Sequence, residues 1–214
     1  MSSVKLKHSS GNGTIINGPA ANPSADITLK VPSTTGAAGE YLKVATANHS
    51  ATNAELEWGA LSGGLSEADQ WRITSTFSSA DSILTSNWER VDDRGSAGPL
   101  GSGMSQASGI FTFPSTGYWL VTFYAVCAGT HCDWVNALID ATTNGSAYNT
   151  VAMGRDSCKD ADSYSDVSAQ ALMDVTSTSD VKMRFQVKAH NALDWYGNTQ
   201  VSETNVVFLK LGAT

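Results

Sequence analysis

Charge is scarce in this chain of 214 residues: 15% of positions are Asp, Glu, Lys or Arg, against roughly a quarter in an average soluble domain. Much of the surface must then be neutral and polar, or be covered by a partner. Basic residues are scarcer than acidic ones, 13 against 20, which leaves a net charge of −7. A chain of that sign gains little by displacing counterions from phosphates, so nucleic acid is not an expected partner. Long apolar runs are also missing, and Met1-Ser2-Ser3 does not open a signal peptide. The expectation is a chain made and folded in a cytosol, with no membrane partner. Cysteine occurs three times, at Cys127, Cys132 and Cys158. An odd number outside a secretory context gives no disulfide framework, and small buried hydrophobes is the plainer reading. The Cys127, His131, Cys132 spacing matches no common zinc site.

Signatures of catalysis are absent as well. There is no Gly-x-Ser-x-Gly elbow, no phosphate loop, no dinucleotide fingerprint and no His-Glu-x-x-His. His8, His49, His131 and His190 are scattered, and the adjacent Asp92 and Asp93 point apart on a strand or turn. The expectation is that the protein is not an enzyme.

What is abundant is Ser, Thr, Asn, Gly and Ala, which favour strands and turns over long helices. Residues 1–62 hold Pro19, Pro23 and Pro32 and only brief apolar runs, such as Ile27 to Val31 and Tyr41 to Val44. Runs that short build no core of their own, so this segment must lie on something else. Gly63-Gly64 marks a boundary. Residues 65–214 then read as β-sheet throughout. Val181, Met183, Phe185, Val187 and Ala189 alternate with Lys182, Arg184, Gln186, Lys188 and His190, one face buried and one wet. Tyr118 to Cys127 is different. Tyr118, Leu120, Thr122 and Tyr124 form one face and Trp119, Val121, Phe123 and Ala125 the other, and both are largely apolar. The last strand repeats this, with Val207 and Leu209 opposite Val206 and Phe208. A sandwich has one core face per sheet, so a second apolar face needs a further cover. A neighbouring subunit supplies it most economically. Trp119, Val121, Phe123, Val206 and Phe208 are the residues expected at that interface. The predicted fold class is all-β, a jelly-roll sandwich with an extended β-rich N-terminal segment.

Gly109-Ile110-Phe111-Thr112-Phe113-Pro114-Ser115-Thr116-Gly117-Tyr118 resembles the central motif of the C1q/tumour-necrosis-factor superfamily, in which Gly-x-Phe-Thr-x-Pro-x-x-Gly precedes an aromatic-rich strand. Thr204 to Leu211 looks like the last strand of the same fold, and Leu84 to Val91 sits where the family has an early one. The resemblance covers about residues 67 to 212 and implies a jelly roll that forms tight homotrimers. Ala25 to Val44, closing at Leu56-Glu57-Trp58-Gly59, is similar to a repeat in tail-fibre-like proteins of phages, notably marine ones. That resemblance implies a bacteriophage virion protein, assembled in the host cytoplasm and attached through residues 1–62 to another virion protein. Its head at residues 65–214 would contact a glycan or protein of the host surface. The alternative is a trimeric capsid decoration or cement protein without receptor binding, and a polysaccharide depolymerase is the third reading.

For surface contact, the stretch Ala192 to Asn198 is the best candidate, with Asp194, Trp195 and Tyr196. Trp134 reads as core or interface packing. No cofactor is expected. The one cation that the C1q resemblance implies is calcium, and Asp156, Asp160, Asp162 and Asp166 are the carboxylates that would bind it. Arg155 and Lys159 lie among them, so a solvated acidic loop is the plainer reading.

Overall fold

The computed structural model describes residues 3–7, 13–17, 28–45, 53–60, 64–96, 98–129, 131–160 and 163–214. The chain divides into two compact units, Met1–Gly63 and Gly64–Thr214.

In the first unit β1 (Ser3–Lys7) and β2 (Gly13–Asn17) form an antiparallel pair. β3 (Thr28–Lys30) runs parallel to β5 (Asn53–Ala60), and β4 (Glu40–Val44) runs antiparallel to it. Trp58 Nε1 donates to the Thr34 carbonyl at 2.8 Å, and Lys43 pairs with Glu57 at 3.2 Å. Among the described residues of this unit, Ala45 is the only buried hydrophobic one, while Leu29, Val31, Leu42 and Val44 are exposed. The described apolar runs of this unit are too short to enclose an interior among themselves.

The second unit begins with β6 (Ala68–Ile73), β7 (Phe77–Ile83) and β8 (Trp88–Arg90). A tight hairpin follows, β9 (Ser105–Ala107) and β10 (Ile110–Thr112), and then the long strands β11 (Gly117–Gly129) and β12 (Cys132–Thr142). The remainder is β13 (Asn149–Cys158), β14 (Ser163–Val175), β15 (Lys182–Trp195) and β16 (Asn205–Gly212). All pairings in this unit are antiparallel. One layer has the order β14-β11-β16-β6-β8. The other has β13-β12-β15, with β7 and β10 along the second edge of β15 and β9 beyond β10. The layers join where Cys127 and Ala128 pair with Trp195 and Asp194.

Alternation along the strands fills the space between the layers. On β15 Met183, Phe185, Val187 and Ala189 are buried, and Lys182, Arg184, Gln186 and Lys188 are turned out. Phe185 meets Phe123 across the core at 4.9 Å between ring centres, and Phe111 meets Phe185, Phe208 and Trp88 at 5.1–5.4 Å. Edge and tilted contacts of this kind add to burial. The Gly109–Gly117 motif is used as the sequence suggests. Gly109 turns with φ +76° where a Cβ would collide with the Leu84 carbonyl, and Gly117 opens β11 with φ +139° against the Gly212 carbonyl. Phe111 and Phe113 between them point inward.

Five residues expected at a subunit interface belong to this interior. Trp119, Val121, Phe123, Val206 and Phe208 are each 0% exposed in the single chain. They do all face one core, because β11 and β16 are hydrogen-bonded neighbours whose pleats are in phase, Val121 opposite Phe208 and Phe123 opposite Val206. The face left over is the other one.

Candidate functional site

That outward face of the β14-β11-β16-β6 layer is built in cross-strand rows. Leu172, Leu120, Leu209 and Ala68 form one row, and Gln170, Thr122, Val207 and Gln70 the next. A third consists of Ser168, Tyr124, Asn205 and Arg72. Leu172 is 62% exposed, and Tyr118, Tyr124 and Leu211 are exposed too. Gln170 Nε2 donates to Thr122 Oγ1 at 3.0 Å and Gln70 Nε2 to Asn205 Oδ1 at 3.3 Å, so the polar members are tied to one another. The only charged member of these rows is Arg72, and its side chain is 2% exposed between Glu89 and Asp93 at 3.0 Å each. Apolar side chains thus adjoin uncharged polar ones across these rows, with Asp174 opposite Tyr118 and Asp166 opposite Val126 at their two ends, and the leucine row is the part that resembles an interaction surface.

The opposite layer turns a charged face outward. Arg184 pairs with Asp140 at 3.1 Å, and its guanidinium covers the ring of Tyr148 at 4.5 Å. Lys188 pairs with Asp81 at 3.4 Å. Trp134, Val151 and Met153 are exposed on this layer as well, so its ion pairs stand beside apolar surface.

β6 starts beside Leu209 and β16 ends beside Tyr118, so the chain joins and leaves the sandwich at one end. The far end carries Gly129, Ser163 and the last residues of β15. Trp195, expected there as a surface contact, is 0% exposed and donates from Nε1 to the Ser79 carbonyl at 3.0 Å. β15 continues through it, so the alternation that buries Leu193 buries Trp195 as well. Asp194 is exposed and Tyr196 half-buried. Tyr196 lies 5.5 Å from Tyr164, and these three line a depression of about 330 Å³ with Ala128 and Gly129. A hydrogen bond with Tyr164 pushes the Tyr196 hydroxyl above its ordinary range.

Two further aromatic residues lie at the surface of the single chain. Tyr164 is 71% exposed, and Trp134 is 40% exposed rather than packed in the core. Trp134 stacks on His190 with ring centres 6.3 Å apart, and Asp133 holds the His190 Nδ1 at 3.2 Å. The phase of β12 was the available signal, since Val135, Ala137 and Ile139 read as the inward set.

Asp156, Asp160 and Asp166, the described members of the acidic set, are not brought together as a cation site among the described residues. Asp156 accepts a hydrogen bond from the Ser165 hydroxyl, Asp160 and Asp166 are exposed, and Asp162, like His8 and His49, lies outside the described residues. Among the described residues no three His, Cys, Asp or Glu side chains are placed to hold a metal. His131 Nδ1 is 2.8 Å from the Lys159 carbonyl, and Cys132 donates to the Trp134 carbonyl. Cys127 and Cys158 are free and buried, their sulfurs 3.9 Å apart, and burial pushes both thiols up.

No protein-family model matches the sequence, and no curated protein matches it. Solved structures do match in shape. Eiger TNF from S. frugiperda aligns at a TM-score of 0.53 and 14% identity, over 69% of this chain and 93% of that one. Murine APRIL at pH 5.0 aligns at 0.50 and 14% identity, over 68% and 98%. The sandwich is a C1q/TNF-like jelly roll. At this identity the likeness establishes the fold alone, and the jelly roll's apolar outward face must be interpreted from its own residues.

Proposed function

We propose that the protein is a homotrimeric, non-enzymatic virion appendage of a bacteriophage. Its jelly-roll head contacts the host surface, and its N-terminal unit attaches it to another virion protein. The observation that supports self-association is the apolar outward face at Leu120, Leu172, Val207, Leu209 and Leu211, while the virion part of the reading rests on the fibre resemblance of the first unit. A 22.5 kDa monomer leaving that face in water would be prone to associate without limit, whereas a closed ring of copies removes it. The C1q/TNF resemblance implies three copies.

Attachment is supported by the first unit, whose Leu29, Val31, Leu42 and Val44 are exposed and need a cover, and by its resemblance to fibre repeats. No catalytic step is assigned, since the buried carboxylates Asp69 and Asp140 are each held by an arginine. The test is to locate the protein on intact particles by labelling or imaging. A few trimers at the tail agree with the proposal. Many symmetric copies over the capsid would replace it with a decoration protein, and absence from particles would overturn it.

A further inference from the structure

Around Asn136 the outward face of the β13-β12-β15 layer departs from an ordinary solvated sheet. In the register Asn136 sits between Arg155 on β13 and Lys188 on β15. It is 7% exposed, although it points away from the core, and its Oδ1 is buried without a hydrogen-bond donor. An orphaned buried acceptor is costly, and native proteins pair nearly all of theirs with protein, water or a ligand. Beside it Trp134 presents a half-open indole face, steadied from behind by His190, which Asp133 in turn holds. Arg155 is exposed and makes no ion pair among the described residues. Trp134, Asn136 and Arg155 together line a depression of about 310 Å³, a size suited to one or two sugar rings.

We infer that this depression binds a carboxylate-bearing sugar of an acidic polysaccharide. Each wall matches one part of such a ligand. The indole offers a flat apolar surface for the CH face of a pyranose. The Asn136 carboxamide can accept from one ring hydroxyl and donate to a neighbouring one. The Arg155 guanidinium suits a planar carboxylate in a two-pronged contact, whereas Lys188, on the other side of Asn136, is already paired with Asp81 at 3.4 Å. Arg155 is thus the cation left for the ligand on a protein with a net charge of −7, and the contact with its guanidinium must outweigh the nearby carboxylate of Asp133. The inference deepens the surface-contact part of the proposed function and rests on it for its biological use.

The test is calorimetric titration of the full-length protein with uronic-acid tetrasaccharides from alginate and polygalacturonate, with neutral malto-oligosaccharides and single-stranded RNA as comparisons. Binding of an acidic tetrasaccharide is expected, weakened about tenfold or more by Trp134→Ala, since an aromatic anchor carries a large share of such contacts. Arg155→Gln is expected to remove the preference for acidic over neutral sugar while leaving stacking in place. Both side chains are at the surface, so far-ultraviolet circular dichroism should be unchanged. No binding of any acidic tetrasaccharide at millimolar concentration, binding that both variants leave unaltered, or a preference for RNA would overturn the inference. Those failures would leave a trimer on the virion untouched. Sugar binding by a protein that is absent from particles would support this site and sink the virion reading instead.

Discussion

Arg72 donates from Nη1 to Asp93 Oδ1 at 3.0 Å while its own side chain is 2% exposed. Glu89 accepts its Nε at the same distance, so a nearly enclosed guanidinium is held between two carboxylates at the margin of the apolar face. The hydrogen bond from Arg72 holds the Asp93 carboxyl below its ordinary range. A carboxylate with a depressed folded-state pKa contributes stability that is fully present above its unfolded value of about 3.9 and is lost as pH falls through the folded value. Melting temperature should therefore drop as the solution is acidified through and below that range. Asp93→Asn should melt lower at neutral pH and lose that part of the acid dependence. A pH profile of this variant that runs parallel to the parent's would contradict the coupling.

The thiols give a second check on the interior. Burial raises the Cys127 and Cys158 thiols, so little reactive thiolate exists near neutral pH. An aromatic disulfide reagent is expected to label none of the three cysteines in the folded protein and all of them in denaturant. Rapid labelling of the folded protein would show that the far end of the sandwich is open.

Gly109 should tolerate no side chain. Its φ of +76° and the Leu84 carbonyl in the path of a Cβ both oppose alanine. Gly109→Ala is expected to cost on the order of 1–3 kcal/mol, since strain and backbone displacement act together. A lowered urea midpoint with an unchanged slope would register it, and a midpoint equal to the parent's would contradict the turn.

Phe123 separates core from interface. Its ring lies 4.9 Å from Phe185 of the opposite layer, and Phe123→Ala should cost roughly 3–5 kcal/mol. Phe123→Lys should yield unfolded or insoluble protein, because the charge would have no partner. A soluble, folded monomer from that variant would return Phe123 to a subunit interface.

The jelly roll was legible because two independent signals agreed. Period-two alternation on β15 fixed which residues face inward, and the Gly109–Gly117 motif carried the family resemblance. That β11 and β16 have two apolar faces was legible too, but which face meets the core was not. Trp119 and Leu120 are adjacent and similarly apolar, and only the packing of Phe185 and Phe111 from the other layer decides between them. Size hinted at the answer, since the larger aromatic set, Trp119, Phe123 and Phe208, is the one that fills the interior. Trp195 was misplaced because the run of Asp194, Tyr196 and Asn198 resembles a loop, whereas pairing with Phe77 and Cys127 extends the strand through it. The depression at Asn136 needed three dimensions. Its walls come from two strands whose register no local pattern reveals.

The homotrimer is tested most directly by the mass of the protein in solution, measured by sedimentation equilibrium on the parent and on Leu172→Asp. Leu172 is 62% exposed and makes a row with Leu120 and Leu209, so the substitution leaves the core intact but puts charge at the β14 end of the leucine row. The parent is expected at the mass of three 22.5 kDa chains and Leu172→Asp at the mass of one, with the same circular dichroism. A parent that sediments as a single chain at micromolar concentration, or a variant that remains at three, would contradict the assignment of this face.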